Sequence, residues 1–202
     1  MVKSRKPVRE LATATLDHLT QGRFGFNVVT SVSHRVAQNF GYDADLAHAE
    51  RYEMAQEWMD AVTALWESWE PDALVLDEQA PLFADHTKVH PVNFEGKYFK
   101  TRGPLSTVPG PQRRPVIAQA GSSGPGRDLA ARHAGMMLAL ANTPADTKEV
   151  RADMHRRLHE DRRDRRWPGP RPAPARPDPR WLRPRHLPRE PAGLLSGSER
   201  GS

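Results

Sequence analysis

The 202-residue chain contains no cysteine, which excludes both a disulfide framework and a thiolate metal site. It has no apolar stretch near the roughly 20 residues that a membrane helix requires. Its opening, MVKSRKPVRELATATLDHL, carries basic residues but no apolar core segment, so it does not read as a secretory signal. A cytoplasmic protein without a membrane partner is expected. Two nucleotide signatures are also missing. The glycine-rich turn AGSSGPG (120–126) is neither G-x-G-x-x-G nor a P-loop, because no Lys-Ser/Thr follows. His48 has no second histidine four residues on, so no zinc pair is read there.

What the chain does have is divided unevenly. The formal charge of +5 invites a nucleic-acid reading, but residues 1–155 carry 17 Lys+Arg against 19 Asp+Glu, whereas residues 156–202 carry 13 against 6. The body is therefore an ordinary, slightly acidic surface, and the excess positive charge lies in the tail. Nine of the 19 prolines fall between Pro168 and Pro191, blocking helix and removing ladder donors. With few apolar residues to offset the entropy of ordering, residues 161–202 are expected to be a disordered Arg/Pro-rich tail. It could serve as a phosphate-binding arm or a proline-rich ligand. The abrupt change near Asp161 favours a third reading, a reading frame shifted in GC-rich DNA.

Residues 1–160 alternate helices and strands. In RELATATLDHLT (9–20), Leu11, Ala14, Leu16 and Leu19 recur at helical spacing, and RFGFNVVTSV (23–32) reads as a buried strand. The stretch 45–69 places Ala55, Trp58, Met59, Val62, Leu65 and Trp66 on one face of a long amphipathic helix. Val92, Phe94, Tyr98 and Phe99 around Glu95-Gly96 suggest a small hairpin. Val116–Ala118 is a strand, Gly121–Gly124 a turn, and Asp128–His133 part of the next helix. Residues 135–141 read as another buried strand. A further helix follows, with Thr143 as N-cap, Pro144 in the first turn and Asp146 completing a capping box. Such alternation implies a parallel sheet flanked by helices, either doubly wound or part of a (β/α) barrel. About three strands are visible, whereas a barrel needs eight.

Three groups of residues are candidates for chemistry. A strand ending in Gly-Ser-Ser-Gly before a helix sets backbone N–H groups and the hydroxyls of Ser122 and Ser123 at the helix's positive end, which suits a phosphate. Taken alone, this is as readily a corner with serine as N-cap. His48 and Tyr52, four apart on one helical face with Arg51 between them, could donate to an anion. They could equally belong to a capped surface helix whose tyrosine packs on the core. Asn27, inside an apolar strand, must find a partner: a ligand at the strand's C-terminal end, or a neighbouring loop.

Five separated motifs, LATATLDHLTQGRFGFNVVTS, NFG, HAERYEMAQEWMDAVTALWESW, HPVNFEGKYFKTRGPL and PVIAQAGSSGPGRDLAARHA, closely resemble, in this order, those of the bacterial-luciferase-like flavin monooxygenases. The nearest branch is the nitrilotriacetate and dibenzothiophene-sulfone monooxygenase group. The resemblance covers about residues 9–160. It implies a (β/α)8 TIM barrel that uses reduced FMN, supplied by a separate flavin reductase, and O2 to oxidise a small organic substrate, in a family-type homo-oligomer. By position, Ser122 and Ser123 would hold the FMN phosphate, His48 and Tyr52 would contact the same end, and Asn27 would lie along the isoalloxazine or ribityl side. Phe26 stands where the family usually has tryptophan. The family's first strands and its later ones are not found, so the chain is expected to be a partial barrel, inactive as this fragment. The rival readings are a basic-tailed nucleic-acid or protein-interaction module without catalysis, and a half-barrel that docks on another chain.

Overall fold

The long amphipathic stretch forms a helix, and its apolar face organises what surrounds it. The computed structural model describes residues 8–30, 34–39, 43–77, 79 and 82–164. Its elements are α1 (Val8–Leu19), β1 (Gly25–Asn27), α2 (His34–Asn39), α3 (His48–Trp66), β2 (Leu74–Asp77), β3 (Leu82–Ala84), β4 (Phe94–Glu95), β5 (Lys100–Thr101), β6 (Val116–Gln119), α4 (Gly124–His133), β7 (Met136–Met137) and α5 (Pro144–Asp164). The chain divides into two units, Met1–Pro172 and Ala173–Ser202, and every described residue belongs to the first. Among the described residues no helix is long and apolar enough to cross a membrane.

The face expected of α3 is the face it buries. Met59, Val62, Leu65 and Trp66 join Val28, Leu105, Ile117 and Leu129 in one core, with Ala55 and Trp58 packed against it. Burying each large side chain of this set contributes roughly 1.5–3 kcal/mol. Phe26 meets the rings of Trp58 and Trp66 edge-on at 6.2 and 6.1 Å.

Beneath this helix layer lies a parallel sheet in the order β1-β6-β7. Phe26 pairs with Ile117 and Asn27 with Ala118, while Ala118 and Gln119 pair with Met136 and Met137. The sequence β6–α4–β7 is a βαβ unit of the kind expected. Strand alternation then decides the fate of each side chain. Phe26 and Val28 turn toward α3, so Gly25, Asn27 and Val29 turn away, and Val29 is 69% exposed.

Three expectations are corrected here. Asn27 is not a buried residue in need of a partner; it is exposed on the face of β1 opposite the helices. Residues 135–141 are not a buried strand. Only Met136–Met137 has strand pairing, and Met136, Leu138 and Leu140 are exposed, because the described residues leave that side of the sheet open to solvent. In α1, over the described residues 12–19, the buried positions are Thr13, Ala14 and Asp17, whereas Leu16 and Leu19 are exposed. The Asp17 carboxylate accepts from the Gln112 N–H (2.8 Å) and from its side-chain amide (2.6 Å), and that pairing turns the Asp17 face inward.

Two hairpins lie between α3 and β6. The antiparallel β2–β3 pair is not anticipated by the sequence reading. The β4–β5 pair is, although its turn is Gly96–Phe99 and not Glu95-Gly96. Glu57 of α3 accepts the N–H groups of Lys97, Tyr98 and Phe99 at 2.8, 2.7 and 2.6 Å, docking that turn on the helix. The start of α5 follows the capping-box reading, with the Thr143 N–H on Asp146 at 3.0 Å and the Asp146 N–H on the Thr143 hydroxyl at 3.1 Å. The helix runs to Asp164, past the expected boundary at residue 161, because no proline interrupts it before Pro168. Residues 165–202, the rest of the expected tail, lie outside the described residues.

Candidate functional site

The strand β6 ends at Gln119, and within four residues the chain has become a helix. Ser123 caps α4: its hydroxyl oxygen accepts the Gly126 N–H at 3.3 Å, and Pro125 occupies the first turn. Capping uses the oxygen of this hydroxyl and leaves its hydrogen available to donate. Ser122, one residue earlier, is exposed. The turn is tight because Gly121 and Gly126 face each other. A Cβ on Gly126 would stand 3.0 Å from the Gly121 backbone.

The second group arrives at the same turn from α3. A Cβ on Gly121 would lie 2.7 Å from the Tyr52 hydroxyl, 3.0 Å from Gln119 Nε2 and 3.2 Å from the Gly126 Cα. Tyr52 therefore packs partly on the core and sets its hydroxyl against the turn. The ring of His48 lies 4.9 Å from that of Tyr52, tilted by 55°, and His48 is exposed. The N-cap of α3 is Ala47, with no side-chain cap, so its first-turn N–H groups are left for solvent or an anion. Arg51 holds this end by donating to the Leu46 carbonyl at 2.9 Å. Two motifs distant in sequence thus meet at one point, with two helix N-termini beside it.

The third group is different. Asn27 lies on β1, beside Ala118 in the ladder, on the sheet face opposite α3. The structure sets Tyr52, with His48 beside it, against the turn that carries Ser122 and Ser123, and it places Asn27 on the exposed face of β1.

Charge around α4 comes from α5. Asp153 is engaged by Arg157 (2.9 Å) and Arg127 (3.0 Å), which hold its carboxyl far below the usual range. Arg157 also pairs with Asp128. At the far end of α4, burial together with Arg132 and Arg114 lowers the pKa of His133 to about 3. Its Nε2 lies 2.5 Å from the Gln56 amide, which donates to the neutral ring. Asp60, 3.6 Å away, does not reverse this, because its other oxygen is taken by Arg132 at 2.7 Å. His133 is thus a neutral core residue at physiological pH. Among the described residues no three histidine or carboxylate side chains form a metal-ligand group.

Gln119 was missed by the sequence reading. A polar side chain closing an apolar strand is the same signal that singled out Asn27, and here the side chain is buried, at 3% exposure.

Comparisons with known proteins show the family and the fold. Residues 4–177 match the sequence profile of the luciferase-like monooxygenases. The chain is 47% identical over 142 residues to dimethyl-sulfide monooxygenase of Hyphomicrobium sulfonivorans, covering 70% of this chain and 30% of that protein. It is 44% identical over 145 residues to nitrilotriacetate monooxygenase component A of Aminobacter aminovorans, covering 72% and 32%. The crystal structure of a riboflavin lyase with modified FMN and riboflavin superposes with a TM-score of 0.72 at 36% identity, over 79% of this chain and 36% of that one. The chain spans about a third of the length of the curated relatives it matches. On sequence and fold together, it belongs to the luciferase-like monooxygenase family and represents a segment of that family's (β/α)8 barrel.

Proposed function

We propose that this chain carries the phosphate-holding portion of a flavin site belonging to an FMN-dependent monooxygenase. The observation that carries the reading is the Tyr52 hydroxyl seated against Gly121, in the space a Cβ would fill. It joins the start of α3 to the turn before α4. The residues fit a phosphate monoester. Ser122 and Ser123 offer hydroxyl donors, Tyr52 offers a third, and His48 offers a ring N–H. The turn and the first-turn N–H groups of α3 add backbone donors at helix positive ends. Asn27, on the open sheet face, would lie along the ring or ribityl side.

In this reading the chain's residues bind the cofactor by its phosphate, orient it at the ends of the strands and help to exclude water. When bound, reduced FMN supplies, with O2, the oxidising chemistry for a small organic substrate. The reduced cofactor would come from a separate flavin reductase, in the cytoplasm. The larger part of the relatives' length has no match in these 202 residues, so the chain by itself is proposed to hold FMN without turning over a substrate.

The test is a fluorescence titration of FMN, with riboflavin, which lacks the phosphate, as comparator. Saturable quenching by FMN, stronger than by riboflavin and weakened about tenfold or more by Ser122→Ala/Ser123→Ala, is expected from the loss of charge-assisted hydrogen bonds. Equal binding of FMN and riboflavin, or no binding, would overturn the reading.

A further inference from the structure

We propose that Gln119 is a positioning residue for the turn: its buried amide fixes the backbone that follows it and confines the Tyr52 hydroxyl, so that the turn is set before any ligand arrives. The inference rests on the reading of this turn as a phosphate cradle, and it concerns what shapes the cradle and not what fills it.

Gln119 is the last residue of β6 and 3% exposed. A primary amide removed from water needs polar partners. Its Oε1 accepts the N–H of Ala120 at 3.2 Å, so the side chain folds forward onto the first residue of the turn. Its Nε2 lies 3.0 Å from the Cβ position that Gly121 lacks, and the Tyr52 hydroxyl approaches that same position at 2.7 Å. Gly121 is thus enclosed by an amide, a phenol hydroxyl and the Gly126 backbone. The carbonyl of Gln119 accepts the Leu138 N–H at 2.9 Å, which ties the residue to the ladder with β7. Its side chain therefore refers the turn to the sheet. The neighbouring strand residues, Val116, Ile117 and Ala118, are apolar. An apolar side chain at 119 would fill the space without a polar group to satisfy. What it could not do is hold Ala120, and that function explains a glutamine here.

The test uses the full chain with Gln119→Met, which keeps the volume and removes the amide, and Gln119→Glu, which keeps an acceptor. Backbone amide hydrogen exchange is read without ligand, and FMN and riboflavin affinities are measured alongside. Gln119→Met is expected to speed exchange across residues 120–124 about tenfold or more, with α3 and α5 at parent rates. FMN affinity should fall by a similar factor while riboflavin affinity stays. Gln119→Glu should leave Ala120 at its parent exchange rate. Unchanged exchange across 120–124 in Gln119→Met would overturn the proposal. So would a uniform acceleration through α3, α4 and α5, the signature of a residue that only fills the core. If Gln119→Met fails to fold, the Ala120 rate in Gln119→Glu decides, and a rate faster than the parent's overturns the proposal. A parent that does not prefer FMN to riboflavin would sink the cradle reading instead, and the exchange data would still judge Gln119.

Discussion

A methyl group placed on Gly121 would lie 2.7 Å from the Tyr52 hydroxyl, closer than real Cβ atoms come, and 3.0 Å from the Gln119 amide, a tight contact. Gly121→Ala is therefore expected to displace Tyr52 and destabilise the fold by roughly 1–3 kcal/mol. Denaturant unfolding measures that loss, and FMN affinity should fall more than riboflavin affinity. The two serines separate cleanly in the same assay. Ser123→Ala removes a cap and should cost about 1 kcal/mol, whereas the exposed Ser122→Ala should leave the unfolding midpoint where it is. His133 predicts a pH dependence. It stays neutral in the native state down to about pH 3, whereas the unfolded chain takes up a proton near 6.5. Its contribution is complete above pH 6.5 and is lost as the pH falls from there toward 3, by at most about 1.4 kcal/mol per pH unit. Urea midpoints at pH 7 and pH 5 should show the slope, and His133→Gln should flatten it. At this scale the turn and its serines are legible in the sequence and Gln119 is not, because whether a strand-end amide is buried depends on the helix lying above it.

Single elements were read well where their causes are local. The Thr143/Asp146 box and the apolar face of α3 follow from spacing alone, and both are present as expected. In α1 the helix is present and Ala14 is buried as its spacing suggests, but Leu16 and Leu19 are not. The helix carries an apolar stripe through Leu16 and Leu19, yet the face holding Asp17 is the one buried, because Gln112, far along the chain, supplies the hydrogen bonds that make the carboxylate tolerable inside. Asp17→Ala should therefore leave the Gln112 backbone N–H unpaired and its side-chain amide with the Phe24 carbonyl alone, at a cost of roughly 1–3 kcal/mol, read from the shift in the denaturant midpoint. The β2–β3 hairpin went unread for a related reason. Its residues Val75, Leu76, Leu82 and Phe83 are largely exposed, so they show no inward and outward alternation.

Across the described part of the molecule, one side of the sheet is packed and the other is open. Phe26, Val28 and Ile117 are held against α3, while Val29, Val116, Met136, Leu138 and Leu140 are 49–84% exposed. An apolar face of this kind, beside a sheet edge, favours association. The chain should bind a hydrophobic dye and increase in apparent mass with concentration in light scattering after size-exclusion chromatography. A monomer without dye binding at all concentrations would count against an open face. This face is also where Asn27 lies, which explains why a residue read as buried is exposed. Its burial would require material on that side, and the described residues provide none.

The sequence by itself determined the helices α1, α3, α4 and α5, though not the short α2, together with the β4–β5 hairpin, the strand–turn–helix at 116–133 and the family resemblance. Periodicity, capping and turn chemistry act over a few residues and are written in their order. The tertiary structure decided which face of α1 and of β1 is buried, and it brought Tyr52 and Gln119 together at the Cβ position that Gly121 lacks. Those outcomes depend on contacts between segments far apart in the chain, whose free energy comes from packing and from satisfying buried polar groups, and no local pattern encodes which distant segment will supply the partner.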